Sequence, residues 1–507
     1  RDDLYYALFQ PDNSARWTGN IKKYKISSAA EIVGRDNIDA IGDDGFFKPE
    51  AKSFWQSKLA DGSLSDLPDG PNVELAGAAN QLDLTPKPRQ FFISLDPTSE
   101  DVTQLTVDNF KTTILAGTTA KIDFNGAELP YVGQISEPDL AINTDNIIKW
   151  SLGMDPTKEL GGIETDPNYY LGESLHGSPF VADYGTENNP NDVLFFTTNQ
   201  GLLHAVDGDT GEEQWVYMPD SSLLPNLGAY FNNEISDDHK YGLDGEISFK
   251  VTRNTDGSIN EALMYLGQRR GGSKYFGIDV TNAALDNPSQ DPVKHIWTLE
   301  GLPRMGQSWA RTVPGVVNYC TTTTNCAETE VLFISGGYDT QYDDQSVDGG
   351  GNLDVRSMNS LAGNVVGNAM YMVRQSDGEL LWMAGRNATQ VDTTIAYLTN
   401  DDMKHSFPSE PTLVDADFDG VIDFFYSVDI SGQVWRFDFS GDIEVTPAPA
   451  GSVAPPIIEV DENDIVVGDN NINKETAGGV IAKLSDESDN RRFYNRLDIS
   501  LSARTED

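Results

Sequence analysis

The stretch NQGLLHAVDGDTGEEQWVYMP, residues 199–219, decides the fold class. Apolar and polar residues alternate on both sides of the turn DGDTG, and the second alternating run leads to Trp215. Alternation with a period of two is typical of a strand with one buried face, and a glycine-containing turn between two such runs predicts a β-hairpin. One hairpin cannot bury its own apolar face, so this segment needs further units to pack against.

Three other segments repeat the design. GNAMYMVRQSDGELLWMAG (residues 367–385) contains a strand, an Asp-Gly turn and a strand that ends near Trp382. SGQVWRFDFSGD (431–442) is a partial copy, and GGSKYFGIDVTN (271–282) is another, followed by a longer turn and Trp297. Hairpins stacked radially in this way form a β-propeller. The units are spaced more widely than ordinary blades of about 40–50 residues, so we expect intervening blades and long inserted loops.

The first 150 residues have a different pattern. SAAEIVG (28–34), EAKSFWQSKLADGS (50–63) and DVTQLTVDNFKTTILAG (101–117) have helix-like spacing of apolar residues over short segments. We therefore predict mixed α/β decoration and the first propeller strands over residues 1–150, and the β-propeller over residues 151–507. The predicted class is all-β, with inserted loops and short helices.

The charge of the chain excludes two classes of partner. There are 80 acidic and 35 basic residues, which give a net charge of -45. Such a chain repels nucleic-acid phosphates and anionic membrane surfaces, so we expect no nucleic-acid partner. The acidic surface is suited to solubility in a saline or calcium-rich medium. No apolar run approaches the roughly 20 residues that cross a bilayer, so no membrane span is predicted.

Two cysteines, Cys320 and Cys326, flank a threonine-rich segment that is predicted to be a hairpin tip. A local disulfide there would imply an oxidising compartment. The alternative is a pair of surface thiols. A zinc or redox site is not expected, because the spacing is not C-x-x-C.

The loop DADFDGVID, residues 415–423, has the spacing of an EF-hand calcium loop. Such a loop supplies side-chain oxygens from positions 1, 3 and 5, a glycine at position 6, a backbone carbonyl at position 7 and a further ligand at position 9. The candidate ligands at these positions are Asp415, Asp417, Asp419, Val421 through its carbonyl, and Asp423. Position 12, where an EF-hand has a bidentate Glu, is Tyr426, so Asp423 and water must complete the coordination.

Electrostatics favours a bound cation in this loop. Four carboxylates repel one another strongly, and no Lys or Arg lies between Glu410 and Asp423. Calcium suits this oxygen-rich set better than magnesium, which keeps more water. The alternative is a solvated acidic turn. A second acidic stretch, GGYDTQYDDQSVDGGGNLD (336–354), lacks the regular spacing and is interpreted as a loop before a weak cation site.

No catalytic motif stands out. The sequence contains neither H-E-x-x-H nor G-x-S-x-G, and we assign no catalytic residue. Hydrogen-bonded structural roles are expected for His176 and His204. The segment LLHAVDGDTGEEQW (202–215) resembles the repeats of quinoprotein alcohol dehydrogenases, which are propellers. Those enzymes place a disulfide of adjacent cysteines against the quinone, and no Cys-Cys pair occurs here. A quinone-dependent propeller dehydrogenase therefore stays the alternative function.

Several stretches follow one another in a fixed order over nearly the whole chain. They are LYYALFQPDNSARWTGNIKKYKI (4–26), SFWQSKLADG (53–62), ELAGAANQL (74–82), IIKWSLGMD (147–155), LGESLHGSPFVADYG (171–185), VLFFTTNQGLLHAVDGDTGEEQWVYMP (193–219), GQRRGGSKYFGIDVTN (267–282), LFISGGYDT (332–340) and MKHSFPSEPTLVDADFDGVIDFFYSVDISGQVWRFD (403–438). Together they resemble the C-terminal propeller domain of the PilY1-type type IV pilus tip proteins.

This resemblance implies a modified seven-bladed propeller whose calcium loop is the 415–423 segment, with the same five ligand positions. It also implies a non-enzymatic protein that acts in pilus biogenesis, opposes retraction and attaches to surfaces. The implied setting is extracellular, at the pilus tip after export through the periplasm. The implied partners are minor pilins and a receptor on a host or abiotic surface. A further alternative is an adhesive module in which calcium is only a structural staple.

The resemblance also bears on the ends of the chain. The N-terminal von Willebrand A-like part of the family is outside this sequence, and we expect a fragment or processed form. RRFYNRLDISLSARTED (491–507) resembles a penultimate segment, so further strands are expected after it. Some relatives carry Arg-Gly-Asp near the start of the domain. The opening Arg1-Asp2-Asp3 does not support integrin-type binding.

Overall fold

The fold is described from a computed structural model. The residues that it describes are 2–57, 59, 63–81, 89–106, 146–147, 149–153, 171–186, 188–233, 239–284, 290–322, 325–343, 365–386, 396–439, 477–484 and 492–499. Contacts divide the chain into two units. The first comprises Arg1–Met264 and Ile278–Ile296, and the second comprises Tyr265–Gly277 and Trp297–Asp507.

The first unit contains a three-stranded sheet in the order β1-β2-β3 and a six-stranded sheet in the order β5-β4-β9-β8-β7-β6. The strands are β1 Asp3–Gln10, β2 Thr18–Ile26, β3 Ile32–Val33, β4 Phe91–Ile93, β5 Thr103–Leu105, β6 Phe180–Asp183, β7 Asp192–Thr198, β8 Leu202–Asp207 and β9 Glu213–Met218. The helix α1, Leu224–Asn232, follows β9. Strand β4 pairs with β9 in parallel, so a segment before residue 106 extends a sheet that is built mainly from residues 180–218.

A further sheet has four strands in the order β10-β11-β12-β13. Its strands are β10 Ile247–Arg253, β11 Ile259–Gly267, β12 Tyr275–Asp279 and β13 Lys294–Leu299.

The second unit contains a five-stranded sheet in the order β14-β15-β16-β17-β18 and a four-stranded sheet in the order β19-β20-β21-β22. The strands are β14 Val313–Thr322, β15 Asn325–Ser335, β16 Ala369–Arg374, β17 Leu380–Gly385, β18 Ala396–Thr399, β19 Thr412–Val414, β20 Phe424–Val428, β21 Gln433–Asp438 and β22 Ala477–Lys483. Strand β18 is added parallel to β17.

The hairpins predicted from alternation are confirmed. Trp215 lies opposite Ala205 in the β8–β9 hairpin. Trp382 lies opposite Met372 in the β16–β17 hairpin, and β21 pairs with β20. The cysteine segment is also a hairpin, with Cys320 directly opposite Cys326 in the β14–β15 register.

Three buried tryptophans dock in the same way. Each indole N–H donates to a main-chain carbonyl in the connection between two strands. The pairs are Trp55 with Asp209 (3.1 Å), Trp215 with Ala283 (2.9 Å) and Trp297 with Gln375 (2.9 Å). The hydrogen bond satisfies the one polar group of a large apolar side chain, so the ring can be buried at little polar cost. Two of these tryptophans, Trp215 and Trp297, belong to the repeated hairpins and pack them against a neighbouring turn.

The glycines of two repeated turns are required by this docking. Gly211 has a φ of +79°, and a Cβ at that position would lie 2.6 Å from Cδ2 of Trp55. Gly378 has a φ of +71°, and its Cβ would lie 3.1 Å from the ring of Trp297. A left-handed backbone and the lack of a side chain are thus both needed where the indole meets the turn.

The three segments expected to be helical before residue 150 are not helical where the structure describes them. Residues 28–34 form a turn and β3, and residues 50–57 are irregular. Residues 103–105 form β5, while residues 107–117 lie outside the described part. The chain there is held by tertiary contacts, such as the buried pair of Lys22 Nζ and Asp69 Oδ2 at 2.9 Å, which no local pattern reveals.

The predicted all-β class is confirmed, with several mainly antiparallel sheets, inserted segments and short helices. The domain boundary at residue 150 stays a prediction. In the described residues, no helix has both the length and the apolar character to cross a bilayer.

Candidate metal centre

The aspartate loop of residues 415–423 is the connection between β19 and β20. The two strands pair up to Val414 and Phe424, immediately before and after the loop. The amide of Asp423 donates to the carbonyl of Val414 (3.0 Å), and the amide of Phe439 donates to the carbonyl of Asp423 (2.6 Å). Both ends of the loop are therefore held by the sheet, while its middle projects into solvent.

The side chains of the loop accept its own amides. Asp415 accepts from the amides of Phe418 (2.7 Å) and Gly420 (2.9 Å), one to each carboxylate oxygen. Asp419 accepts from the amide of Val421 at 2.8 Å. Phe418 and Gly420 have left-handed φ values of +64° and +94°, which give the sharp turn that glycine at position 6 predicts.

Three of the predicted ligands converge. Asp415, Asp417 and Asp419 each offer a carboxylate oxygen, and these three oxygens lie within 4.8 Å of one another. Asp415 is half-buried, and the other two are exposed. An all-oxygen, carboxylate-rich donor set suits a hard divalent cation, calcium above all, and does not suit metals that prefer nitrogen or sulfur. The residues present therefore fit the group that the sequence predicts.

Asp423 is not among the three carboxylates that converge, and the fifth predicted ligand is the main-chain carbonyl of Val421. Oδ2 of Asp423 accepts from the amide of Ala416 at 2.6 Å, so this carboxylate closes the entrance of the loop. The amide of Val421 is used by Asp419, which fixes the peptide next to the predicted carbonyl ligand. As ligands, Asp423 and the Val421 carbonyl stay predictions.

The carboxylates of the loop repel one another. The amide of Asp419 lowers the pKa of Asp417, but slight desolvation and repulsion by Asp419, Asp423 and Asp415 outweigh it and raise the pKa above its ordinary value. The basic residues that flank the loop in sequence are already engaged. Lys404 Nζ lies 3.5 Å from Asp402, and Arg436 Nη2 lies 2.6 Å from Asp438. A cation would therefore relieve a repulsion that the neighbouring side chains leave in place.

The exit of the loop is tied to a different sheet. The amide of Ile422 donates to the carbonyl of Val316 in β14 at 2.8 Å. The side chain of Ile422 packs on the core cluster that contains Phe333, Trp382 and Phe425. The loop thus contacts two sheets: the one that contains β19 and β20, and the one that contains β14.

The histidines expected to be structural are hydrogen-bonded. His204 is fully buried, with Nδ1 2.9 Å from Glu213 and Nε2 3.2 Å from Thr198 Oγ1. Burial lowers its pKa, so the neutral ring is favoured. His176 Nδ1 lies 2.7 Å from Asp244.

The sequence did not reveal the partners of Glu213. Arg89 Nε and Nη2 lie 2.5 and 2.8 Å from its carboxylate. Burial alone would raise the pKa of Glu213, but Arg89 and His204 outweigh it and lower the pKa to about 2. Because Arg89 lies 124 positions from Glu213, no local spacing could have linked them.

A second cluster was also missed. Arg269 and Arg270 of the segment GQRRGGS lie over the ring of Trp309, with guanidinium carbons 4.8 and 5.1 Å from the ring centroid. The double arginine in a strongly acidic chain was the available signal.

The fold and the loop define a propeller-type protein with a candidate divalent-cation centre. The chain is 26% identical over 249 residues to a type IV pilus biogenesis factor PilY1 homolog of Xylella fastidiosa, and 31% identical over 106 residues to another protein of that name from the same organism. These matches cover 49% and 21% of this chain but only 14% and 8% of the relatives' own length. No protein-family profile matches.

Among solved structures, the PilY1 C-terminal domain of Pseudomonas aeruginosa shares 20% identity at a TM-score of 0.29, covering 49% of this chain and 38% of that one. BamB of Moraxella catarrhalis shares 12% identity at a TM-score of 0.25, covering 54% of each chain. The sequence matches confirm the resemblance of this chain to PilY1-type proteins.

Proposed function

We propose that this chain is a non-enzymatic, calcium-binding part of a type IV pilus protein that acts in pilus biogenesis. Two observations support this function. The curated relatives are named for pilus biogenesis, and three aspartate oxygens lie within 4.8 Å of one another in a loop of EF-hand spacing. The convergence of these three carboxylates is the observation that carries the calcium assignment.

The finer parts of the proposal come from the family resemblance. They are association with minor pilins at the pilus tip, attachment to a host or abiotic surface, and opposition to pilus retraction. They also include an extracellular location reached through the periplasm. The net charge of -45 supports a protein that acts in a medium rich in cations rather than against nucleic acid.

In the proposed site, calcium would supply positive charge to the side chains of Asp415, Asp417, Asp419 and Asp423 and to the carbonyl of Val421. The residues of the chain then have separate tasks. Asp415 holds the turn through the amides of Phe418 and Gly420. Ile422 connects the loop to Val316 in β14, so ordering of the loop by calcium would also stabilise a second sheet. Without a cation, repulsion among the carboxylates opposes the compact loop.

Isothermal titration with CaCl2 tests the site. The native chain should bind calcium, and Asp417→Asn/Asp419→Asn should lose at least about tenfold in affinity because two carboxylate ligands are removed. Asp256→Asn is the matched control, because Asp256 is an exposed aspartate that accepts the Ser258 amide in the same kind of turn but lies outside the cluster. Equal affinity in all three proteins would reject the assignment. Asp423→Ala separately tests the fifth ligand.

The alternative is a quinone-dependent propeller dehydrogenase, which the tryptophan-bearing hairpins favour. Absorbance after quinone addition, together with an alcohol dehydrogenase assay, distinguishes the two functions. Turnover that depends on added quinone would establish the enzyme.

A purely structural role for calcium is the third hypothesis. If chelation removes the metal from the aspartate loop but leaves pilus number, retraction and attachment unchanged, calcium has a structural role and does not regulate the pilus.

A further inference from the structure

A buried lysine and aspartate in the first unit form a contact that the proposed function does not use. Nζ of Lys22 lies 2.9 Å from Oδ2 of Asp69, and the two side chains are 0% and 3% exposed. Lys22 is in the middle of β2, and Asp69 follows it by 47 positions. An ion pair at such a site loses the hydration of both charges, so it is a costly way to hold two segments together.

The amine donates its hydrogen bonds to the main chain rather than to the carboxylate. Nζ donates to the carbonyls of Asp69 and Gly70, each at 2.9 Å. Oδ2 of Asp69 accepts no hydrogen bond of good geometry from the described residues, although Nζ is 2.9 Å away. A neutral amine has two N–H groups and one lone pair. With both N–H groups on carbonyls, the lone pair is left for the carboxyl group.

The carboxyl group is fixed from its other side. Oδ1 of Asp69 accepts from the amide of Ser53 at 2.8 Å, and the amide of Asp69 donates to the carbonyl of Ala51 at 3.0 Å. The amine and the carboxyl carbon, one bond from Oδ2, are therefore held together by the fold. Contact fixed in this way between a nucleophile and a carbonyl carbon accelerates their reaction by several orders of magnitude.

Burial favours the neutral amine that such a reaction needs. It lowers the pKa of Lys22, and the charge of Asp69 only partly opposes this effect. Transfer of the ammonium proton across the 2.9 Å contact to Oδ2 converts the ion pair into an amine and a carboxylic acid. A neutral lysine amine in a desolvated site is a nucleophile.

A tyrosine hydroxyl in the same cluster has no hydrogen-bond partner among the described residues. It belongs to Tyr24, which is two positions after Lys22 in β2, so the two side chains are on the same face of the strand. The Tyr24 ring is fully buried and stacks on Phe47 with centroids 4.7 Å apart. Burial and the charge of Asp69 raise the pKa of Tyr24, so its hydroxyl keeps its proton and can pass it to a leaving group.

We propose that Lys22 and Asp69 form an intramolecular amide bond, with Tyr24 as the proton carrier. The Nζ lone pair attacks Cγ of the neutral carboxyl group, the C–OH bond breaks, and the proton lost by nitrogen leaves with that hydroxyl as water. The reaction consumes no oxidant, reductant or activated group. The product links β2 covalently to the segment at residue 69, and the proposal does not depend on the calcium site.

Mass spectrometry of the purified, reduced native chain tests the proposal. We expect an intact mass lower than the sequence mass by one water, and a proteolytic fragment in which the Lys22 and Asp69 peptides stay joined. Lys48 and Asp39 are the internal control. Their Nζ and Oδ2 atoms are 3.0 Å apart, but the side chains are 30% and 41% exposed, so their peptides should be recovered unlinked.

Substitutions at the pair distinguish the amide from other modifications. Lys22→Arg keeps a cation beside Asp69 but removes the nucleophilic amine, so the variant should have the full mass of its sequence. Asp69→Asn keeps an electrophilic carbonyl whose leaving group is ammonia, so this variant should lose one ammonia instead of one water. Lys48→Arg should lose one water, as the native chain does. The measurement on the native chain stands even if a variant fails to fold.

Tyr24→Phe tests the proton carrier, because it keeps the buried ring and removes the hydroxyl. The linked fraction, followed by mass at successive times after cell-free synthesis, should rise at least about tenfold more slowly than in the native chain. Linkage at the native rate in Tyr24→Phe would contradict the role given to Tyr24.

Two other results would overturn the proposed bond itself. A native chain at its full sequence mass would show that Lys22 and Asp69 form an ion pair only. A loss of water that persists in Lys22→Arg would show a cyclic imide at Asp69-Gly70 instead. The structure opposes this imide, because the Gly70 amide is engaged by the carbonyl of Ala51 at 2.9 Å.

Discussion

The main-chain amide of Ile422 donates a hydrogen bond of 2.8 Å to the carbonyl of Val316. Ile422 lies near the end of the aspartate loop, and Val316 is in β14, the edge strand of the five-stranded sheet. Gly315 lies at the same contact, where a Cβ would be 3.1 Å from Cγ1 of Ile422. The aspartate loop is therefore linked directly to the β14–β15 hairpin by this hydrogen bond, so ordering of the loop should also order the hairpin.

This contact predicts that calcium protects two separated segments from hydrogen exchange. Addition of calcium should slow amide exchange in residues 415–423 because the loop closes around the ion. It should also slow exchange in the β14–β15 hairpin near Val316, because the loop then holds Ile422 against that strand. Exchange measured by mass spectrometry, with and without chelator, checks both segments.

The control for this experiment is Asp417→Asn/Asp419→Asn, in which calcium should protect neither segment. Strands β7 and β8 in the first unit serve as an internal reference and should exchange at the same rate in every condition. Protection of the loop alone would show that the Ile422 contact does not transmit order to β14.

The docking of Trp55 on Gly211 predicts a large cost for a single methyl group. Gly211→Ala adds a Cβ 2.6 Å from the indole at a φ of +79°. Strain and displacement of the ring together should lower the free energy of unfolding by about 3 kcal/mol. Chemical unfolding followed by tryptophan fluorescence measures the loss.

Gly301→Ala separates the two causes. Gly301 has a similar φ of +70°, but a Cβ there would have no atom within 4 Å. This variant should lose only about 1 kcal/mol, from backbone strain. If Gly211→Ala costs no more than Gly301→Ala, the indole contact is not what requires a glycine in the repeated turn.

The hairpins and the loop could be predicted because their causes are local. The hairpins follow from the alternation of apolar and polar residues around the turns DGDTG and SDG, which involves only neighbouring residues. The D-x-D-x-D-G spacing that brings Asp415, Asp417 and Asp419 together is local in the same way. The parallel addition of β4 to β9 could not be predicted, since its partners are distant in sequence and its strand has only three residues.

The wrong helical interpretation has a related cause. Tyr24 and Trp55, in the N-terminal segment, are buried by packing, and this tertiary burial overrides weak local helical spacing. The contact of Arg269 with Trp309 was missed because the two residues are far apart in sequence and Arg269 has a left-handed backbone.

The group of Arg89, Glu213 and His204 predicts acid sensitivity. The pKa of Glu213 is lowered from its ordinary value of 4.5 to about 2. The ionised side chain therefore adds its full share to the free energy of unfolding above pH 4.5, and this share is lost as the pH falls towards 2. That contribution is roughly 3 kcal/mol at most. Burial also lowers the pKa of His204, so the unfolded chain takes up a proton first and stability begins to fall below pH 6.5. Unfolding midpoints measured from pH 8 to pH 3 check this course.

Substitution of Glu213 isolates its share of the acid sensitivity. Glu213→Gln removes the carboxylate charge that pairs with the buried Arg89 and should cost about 3–5 kcal/mol at pH 7. Its stability should also fall less steeply between pH 4.5 and pH 2 than that of the native chain. Glu246→Gln, at an exposed position, should behave like the native chain in both respects. An unchanged pH profile in Glu213→Gln would assign the acid sensitivity to other carboxylates.

The register of β14 and β15 supports the disulfide predicted from the sequence. Cys320 and Cys326 are directly opposite one another, the arrangement in which two cysteines of a hairpin can be joined. Non-reducing peptide mapping of protein secreted into an oxidising compartment should recover the two cysteines in one linked peptide. Free thiols at both positions, detected by alkylation without reductant, would contradict this pairing.

Calcium in the aspartate loop is the central claim, and an anomalous difference map from crystals grown in millimolar CaCl2 tests it most directly. We expect a peak coordinated by Asp415, Asp417 and Asp419 at the calcium–oxygen distances of about 2.3–2.6 Å, with Asp423 and the Val421 carbonyl completing the coordination. An ordered loop with no anomalous peak and with its aspartate side chains turned towards solvent would contradict the claim.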